Sequence, residues 1–279
     1  MKAVLMSIKK QWIENILDGK KTIEVRKTKT NLEVPFKVYI YCTKDNQHYD
    51  LYINEKSARE VYGNFSRLRA GQDEVVETVS GFNTFIAHGK VIGEFVCDKI
   101  EDFYCASVPY KKENNLGYGR FIDNGVYKVN GWIEGIVFER NDRYIDTMLN
   151  NNDFKEMCLS VQELFDYIGI GKYLYAWHIS DLKIYDKPKD LNEFKTVCKD
   201  AYYSYEDWFC KDGYGSCAVR DKEKEYPYNE ECIYFDCPSC GGESCGYEDF
   251  AYCLCNGLKP VIRPPQSWCY VEELQEEKK

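Results

Sequence analysis

The sequence has no long hydrophobic run. None of its apolar stretches approaches the roughly 18–20 residues that a membrane-spanning helix needs. The first residues also lack the apolar segment and the small-residue cleavage site of a secretory signal. We therefore expect a soluble, cytoplasmic protein with no membrane partner. No period of about 20–50 residues recurs either, which argues against a repeat architecture.

The chain also lacks the basic excess of a protein that holds nucleic acid along a broad surface. Its 37 Lys and Arg against 46 Asp and Glu give a formal net charge of −9. Residues 1–40 carry nine basic and four acidic side chains, or +5, which leaves −14 for the rest. This asymmetry favours a small site for a nucleotide or a few phosphates over a duplex-binding surface. Lysines that only solvate the surface would give the same charge.

The composition is that of a folded protein. With 279 residues, of which 15% are aromatic, the chain can bury one substantial core, or one core and a small satellite. Disorder over most of its length is therefore excluded.

One octet in the basic N-terminal part carries the main functional signal. Its sequence, GKKTIEVR at residues 19–26, fits the pattern G-x-K-x-x-E-x-R. An apolar strand over residues 3–8 and an amphipathic helix over 11–18 are predicted to precede it. Gly19 can take the left-handed conformation that ends a helix.

The octet then continues as a predicted strand whose side chains alternate. Ile23 and Val25 should point to one face, while Glu24 and Arg26 point to the other. With Lys21 at the start of the strand, an ammonium, a carboxylate and a guanidinium can line one cleft. A solvated strand edge with exposed ion pairs would show the same pattern.

This strand–helix–Gly–strand beginning with its octet resembles the ASCH domain, a member of the PUA-like superfamily. Later segments resemble further strands of phage and prophage ASCH proteins: residues 34–44, 89–95, 175–182 and 263–271. The resemblance implies an α+β, mainly β fold, a closed PUA-like barrel with short flanking helices.

The predicted barrel comprises residues 1–184 and 260–273, interrupted by insertions near 45–87 and 99–150. The first insertion looks like a flap with helical hints around 57–62. Residues 173–184 read as one barrel strand. Ser160 and Glu163 have the spacing of a capping box before a short helix.

Thirteen of the fourteen cysteines fall into two groups. Without a secretory signal they are poor evidence for disulfides. Five scattered residues read as small apolar packing groups: Cys42, Cys97, Cys105, Cys158 and Cys269. Eight others lie close together in a predicted Cys-rich insertion, residues 185–259: Cys210, Cys217, Cys232, Cys237, Cys240, Cys245, Cys253 and Cys255.

The insertion is predicted to hold structural zinc. Its C-P-x-C-G turn at Cys237 and Cys240 resembles a zinc-ribbon knuckle, and Cys253 and Cys255 could supply the second pair of thiolates. The remaining four cysteines could form a second site. A polar segment with few aliphatic residues needs such added stability. Reduced thiols on a loose loop, disulfides and an iron–sulfur or redox role are the alternatives.

The resemblance also implies that the octet lines a pocket for a base or nucleoside. Arg26 would hold a carbonyl edge or a phosphate, and Glu24 would accept from an exocyclic amine. Lys21 would bind phosphate, or act as a base or nucleophile. Trp177 and Trp268 could stack on the base, although core packing is their other interpretation.

Three functions follow. The first is binding of RNA or a modified nucleoside through Lys21, Glu24 and Arg26. The second is hydrolysis, by Lys21 and Glu24, of an N4-acylated cytidine or of RNA. The resembling amidohydrolases have a lysine at the place of Lys21 but a threonine at the place of Glu24, and a further glutamate, for which Glu94 is conceivable. The third is a protein-interaction adaptor that acts through the Cys-rich insertion.

Overall fold

Strands dominate the fold, as the resemblance predicted. The computed structural model describes residues 2–44, 49–69, 83–109, 126–129, 132–140, 143–144, 155–169, 172–198, 201–204, 207–210, 251–252 and 257–274. The strands in these ranges are β1 (Lys2–Ile8), β2 (Ile23–Arg26), β3 (Phe36–Cys42), β4 (Tyr49–Asn54), β5 (Phe65–Arg69), β6 (Thr84–Ile86), β7 (Val91–Cys97), β8 (Ile100–Pro109), β9 (Val126–Val129), β10 (Trp132–Arg140), β11 (Arg143–Tyr144), β12 (Lys172–His178), β13 (Ser180–Lys189), β14 (Lys195–Val197), β15 (Ala201–Ser204), β16 (Asp207–Cys210), β17 (Ala251–Tyr252), β18 (Leu258–Pro260) and β19 (Trp268–Glu272). The helices are α1 (Lys10–Leu17), α2 (Lys56–Tyr62), α3 (Val161–Ile168) and a short 3₁₀ helix, Leu191–Glu193. None of the helices in these ranges has the length and apolarity to cross a bilayer.

The chain divides into two compact units. Unit 1 comprises residues 1–190 and 264–269, and unit 2 comprises 191–263 and 270–279. In unit 2, β14 pairs with β18, and β15, β16 and β17 form an antiparallel sheet. The prediction that 185–259 is a zinc-stabilised insertion stays a prediction, because 211–250 lies outside the described residues.

Two larger sheets build unit 1. One has the strand order β13–β7–β3–β1–β19, with β1 and β3 parallel, and the other has the order β11–β10–β8–β12–β2. Both of these sheets are open, and no closed ring of strands is found among the described strands. The edge position of β2 in the second sheet places the octet at a sheet border.

The core beneath the second sheet fixes the orientation of β2. Its buried residues are Ile23, Val25, Phe103, Met157, Leu164, Ile168, Leu174 and Ala176. Helix α3 contributes two of these side chains and begins at the predicted capping box. Ser160 N donates to the Glu163 carboxylate at 2.8 Å, and Glu163 N donates to Ser160 Oγ at 3.2 Å.

The prediction of one strand over residues 173–184 was wrong. The chain forms β12 and β13 there, and the two strands belong to different sheets. The switch occurs at Ile179, whose N–H donates to the Thr22 carbonyl at 2.8 Å, and at Asp181, which has a φ of +46°. Uninterrupted strand-like composition does not reveal such a switch, because it depends on partners distant in sequence.

Residues 45–87 were predicted to be an insertion or a flexible flap, and their described part is a sheet with a helix, not a flap; that they are an insertion stays a prediction. Strands β5, β4 and β6 form an antiparallel sheet, and α2 covers the predicted helical hints. Leu51 and Ile53 of β4 are fully buried. Arg59 of α2 donates to the carbonyls of Ile184 and Tyr185 at 3.2 and 2.7 Å, which attaches this sheet to β13.

The turn between α1 and β2 follows the sequence prediction. Gly19 has a φ of +69° and donates its N–H to the Ile16 carbonyl at 3.0 Å. Lys20 N donates to the Asn15 carbonyl at 2.9 Å, which completes a Schellman motif. The buried stripe of α1, including Ile13 and Ile16, therefore ends where the octet begins.

Replacement of Gly19 by Ala should lower the free energy of unfolding by about 1 kcal/mol, the cost of a left-handed conformation for an L-residue. An added Cβ would meet no atom within 4 Å, so the cost is conformational only. Urea unfolding measures it. Gly19→Asn is the matched control and should lose less, because asparagine tolerates this conformation. Equal stability of Gly19→Ala and the wild type would contradict the turn geometry.

Candidate functional site

The octet side chains alternate as predicted. Ile23 and Val25 belong to the core cluster, whereas Glu24 and Arg26 lie on the opposite face of β2. Lys21 is placed by the Schellman turn, with its N–H bonded to the Asn15 carbonyl at 2.9 Å. The turn and the strand together bring three charged side chains to one place.

The three charges form a buried chain of ion pairs, which we name the charged cluster (Lys21, Glu24 and Arg26). Lys21 Nζ lies 3.4 Å from Glu24 Oε2, and Arg26 Nη2 lies 3.0 Å from Glu24 Oε1. Only 2, 6 and 7% of Lys21, Glu24 and Arg26 is exposed. The cluster is therefore not a solvated strand edge, and its pairs are screened far less than surface pairs.

Arg26 connects the two large sheets of unit 1. Its Nη2 donates to the carbonyl of Ser7, on β1, at 2.8 Å, and its Nη1 reaches Ser267 Oγ at 3.4 Å. Ser7 in turn donates its N–H to the Ser267 carbonyl at 2.9 Å and its hydroxyl to the Pro265 carbonyl at 2.6 Å. The segment just before β19 thus borders the guanidinium.

Lys21 connects the cluster to the chain before α3. Its Nζ donates to the Met157 carbonyl at 2.6 Å and lies 5.3 Å from the ring centroid of Trp12. The neighbouring Thr22 N–H donates to the Glu156 carbonyl at 2.9 Å. The ammonium is therefore surrounded by a carbonyl, a carboxylate and an aromatic face, each of which attracts a cation.

Both predicted tryptophans lie beside the cluster. Trp177 is paired in register with Glu24 across β12 and β2 and is fully buried. Its ring centroid is 5.5 Å from that of Phe36 and 5.7 Å from that of Trp268. Trp268 is partly exposed, and its Nε1 donates to Thr28 Oγ1 at 3.0 Å. Trp177 therefore packs in the core. Base stacking by Trp177 or Trp268 stays a prediction.

Three buried polar atoms of this region have no hydrogen-bond partner among the described residues. They are Glu24 Oε2, Arg26 Nε and Trp177 Nε1. Glu24 Oε2 faces Lys21 Nζ at ion-pair distance without hydrogen-bond geometry. A buried polar atom that lacks a partner costs about 1–3 kcal/mol, and any group that formed a hydrogen bond to it would remove that cost.

Comparison with known families found a match that includes the octet. Residues 6–113 match the family model of the ASCH domain. This part of the chain is therefore similar to an ASCH domain. That family is generally linked to RNA binding. No curated protein and no solved structure matches the chain.

The ASCH match covers only part of the charged cluster's surroundings. It includes the end of β1, α1, β2 and the three charges, but Met157, Trp177 and Ser267 lie beyond residue 113. Sequence reasoning missed the carbonyls of Ser7 and Met157, because a backbone acceptor leaves no residue-type signal. Ser267 was visible only as part of the last predicted strand.

Two titratable side chains border the cluster. Burial raises the pKa of the Cys158 thiol, while Lys21 opposes the shift. The pKa of the Tyr167 hydroxyl is also raised, mainly by burial. The charge of Arg26 opposes this shift, and that of Glu24 adds to it. Glu94, the conceivable second carboxylate, has other partners: Lys37 Nζ at 3.3 Å and the Tyr185 hydroxyl at 2.6 Å.

The packing role predicted for scattered cysteines is confirmed for Cys42 and Cys97, which are fully buried. Burial raises the pKa of Cys97 to about 12 and that of Cys269 to about 11. The described residues contain no group of three or more potential metal ligands. Most of the predicted zinc ligands lie outside those residues: Cys217, Cys232, Cys237, Cys240, Cys245, Cys253 and Cys255. Cys210 ends β16.

Freshly purified, untagged protein should contain zinc, and the double variant Cys237→Ser/Cys240→Ser should lose bound metal because two thiolates of one tetrahedral set are removed. Mass spectrometry for elemental content measures the ratio of zinc to protein. Cys269→Ser serves as the control and should keep the wild-type zinc content. Wild-type protein without zinc would refute the metal prediction.

Proposed function

We propose that the ASCH domain binds RNA or a modified nucleoside by accommodating one base at the charged cluster. The observation that carries this proposal is a group of three buried polar atoms, on Glu24, Arg26 and Trp177, that have no hydrogen-bond partner among the described residues. The family's general link to RNA binding agrees with it. The PUA-like class of the fold remains part of the same proposal.

The three atoms present one acceptor and two donors. Glu24 Oε2 accepts, and the N–H groups of Arg26 Nε and Trp177 Nε1 donate. A cytosine edge offers the complement, since it carries an exocyclic amine as donor beside two acceptors. Each hydrogen bond formed there would remove the cost of a buried group that lacks a partner.

The setting of Lys21 favours binding over catalysis. Its Nζ already donates to the Met157 carbonyl and contacts the Glu24 carboxylate. A base or nucleophile needs an available lone pair on that nitrogen, whereas these neighbours suit an ammonium donor. Glu24 also replaces the threonine of the resembling amidohydrolases, and its carboxylate is held by Lys21 and Arg26. Hydrolysis of an N4-acylated cytidine or of RNA is therefore the second choice.

Access to the charged cluster requires a local shift of the segment before β19. The contact between Arg26 Nη1 and Ser267 Oγ is 3.4 Å long, and Trp268 is only partly buried. These are the weakest restraints around the guanidinium, so the base would enter on this side. Adaptor function through the Cys-rich insertion stays an independent prediction.

Glu24→Gln and Arg26→Lys should each weaken binding of cytidine 5′-monophosphate at least about tenfold, equivalent to about 1.4 kcal/mol. The first change replaces a charged acceptor at the base edge, and the second removes the Nε–H donor while the charge is retained. Isothermal titration calorimetry measures both affinities. Lys20→Ala is the matched control, because Lys20 is exposed and pairs only with Asp18 in the described contacts.

Unchanged affinity in both variants, with circular dichroism spectra like the wild type, would refute the proposed site. The same solutions should leave N4-acetylcytidine intact, as seen by mass spectrometry. Release of cytidine by the wild type and its loss in Lys21→Ala would favour the hydrolase instead.

A further inference from the structure

Strand β12 carries three aromatic side chains on the face of the charged cluster. Trp177 pairs in register with Glu24, and Tyr175 pairs in register with Arg26. Side chains two residues apart share one face of a strand, so Tyr173 follows on that same face. We name Trp177, Tyr175 and Tyr173 the aromatic ladder.

The exposure of the aromatic ladder increases away from the cluster. Trp177 is fully buried, Tyr175 is half-buried and Tyr173 is 55% exposed. The intervening residues Leu174 and Ala176 point into the core and hold the strand in place. The ladder therefore forms a fixed path from the buried charges to the surface.

The spacing of the aromatic ladder suits unpaired bases. Residues two apart on a strand are separated by about 7 Å. This is about twice the 3.4 Å that each nucleotide occupies in a stacked strand. One base can therefore fit between the two accessible rings, Tyr175 and Tyr173, and stacking on tyrosine accepts any base because each has a π-face.

A positive charge accompanies the exposed part of the aromatic ladder. Lys29 Nζ lies 5.4 Å from the ring centroid of Tyr175, and the Lys29 side chain is 50% exposed. Asp102, which pairs in register with Tyr175 on the other side of β12, holds that ammonium at 2.9 Å. Such an exposed pair is weak, so a phosphate can compete with Asp102 for Lys29.

We propose that the aromatic ladder binds the nucleotides next to the base held at the charged cluster, which makes single-stranded RNA the ligand class of this site. The inference rests on the proposed function and narrows it. A free nucleoside would use only the cluster. A duplex would not fit, because its bases are already stacked and paired and cannot enter between the tyrosines.

The test compares a five-nucleotide RNA that contains cytidine with cytidine 5′-monophosphate on the full chain. The wild type should bind the oligonucleotide more tightly than the mononucleotide. Tyr173→Ala and Tyr175→Ala should each weaken oligonucleotide binding roughly 5- to 100-fold, the range for loss of one stacked base. Their affinity for the mononucleotide should stay within twofold of the wild type.

Two controls separate stacking from damage to the fold. Tyr173→Phe keeps the ring and should bind the oligonucleotide like the wild type. Tyr62→Ala removes a tyrosine of similar exposure on α2 and should have no effect. In addition, Lys29→Gln should reduce the slope of log affinity against log salt by about 0.7, the value for one lost phosphate contact on a single strand.

The outcomes distinguish this inference from the proposed function. If the oligonucleotide binds no more tightly than the mononucleotide, the aromatic ladder does not bind nucleotides. Full oligonucleotide affinity in both alanine variants would lead to the same conclusion. Either result would overturn this inference but not the proposed base site. Equal affinity for duplex and single strand would also overturn it. Absence of binding to either ligand would overturn both proposals.

Discussion

The buried guanidinium of Arg26 is the constraint on which the architecture of unit 1 depends. It extends from β2 toward β1. It bonds to the Ser7 carbonyl of one sheet and to the Glu24 carboxylate of the other. A charge so far from water must be paired, and loss of one partner in such a pair costs about 3–5 kcal/mol. The positions of Glu24, Lys21 and the segment before β19 all follow from this requirement.

The pairing around Arg26 is incomplete, and the proposed base-binding function rests on this incompleteness. Lys21 and Glu24 satisfy most of the charge, yet three buried polar atoms remain without partners in the described residues. A core that served stability alone would replace them with apolar groups. In the proposed function, the protein gives up some stability to keep this preorganised donor and acceptor set, a common arrangement at functional sites. The aromatic ladder extends this set toward solvent.

Local signals in the sequence predicted the local structure around the octet well. Gly19, the alternation of β2 and the capping box at Ser160 each depend on neighbours within a few residues, and each is confirmed. Long-range features were missed. The change of sheet at Ile179 and the carbonyl of Met157 depend on contacts far along the chain. The zinc prediction rests on the number and spacing of the cysteines, and most of these cysteines lie outside the described residues.

The central claim is that a nucleotide base binds beside Glu24. A high-resolution structure of the protein with cytidine 5′-monophosphate is the most direct measurement. We predict a ligand amine within about 3.2 Å of Glu24 Oε2 and ligand acceptors at the same distance from Arg26 Nε and Trp177 Nε1. A nucleotide bound elsewhere, with these three atoms still lacking partners, would contradict the account.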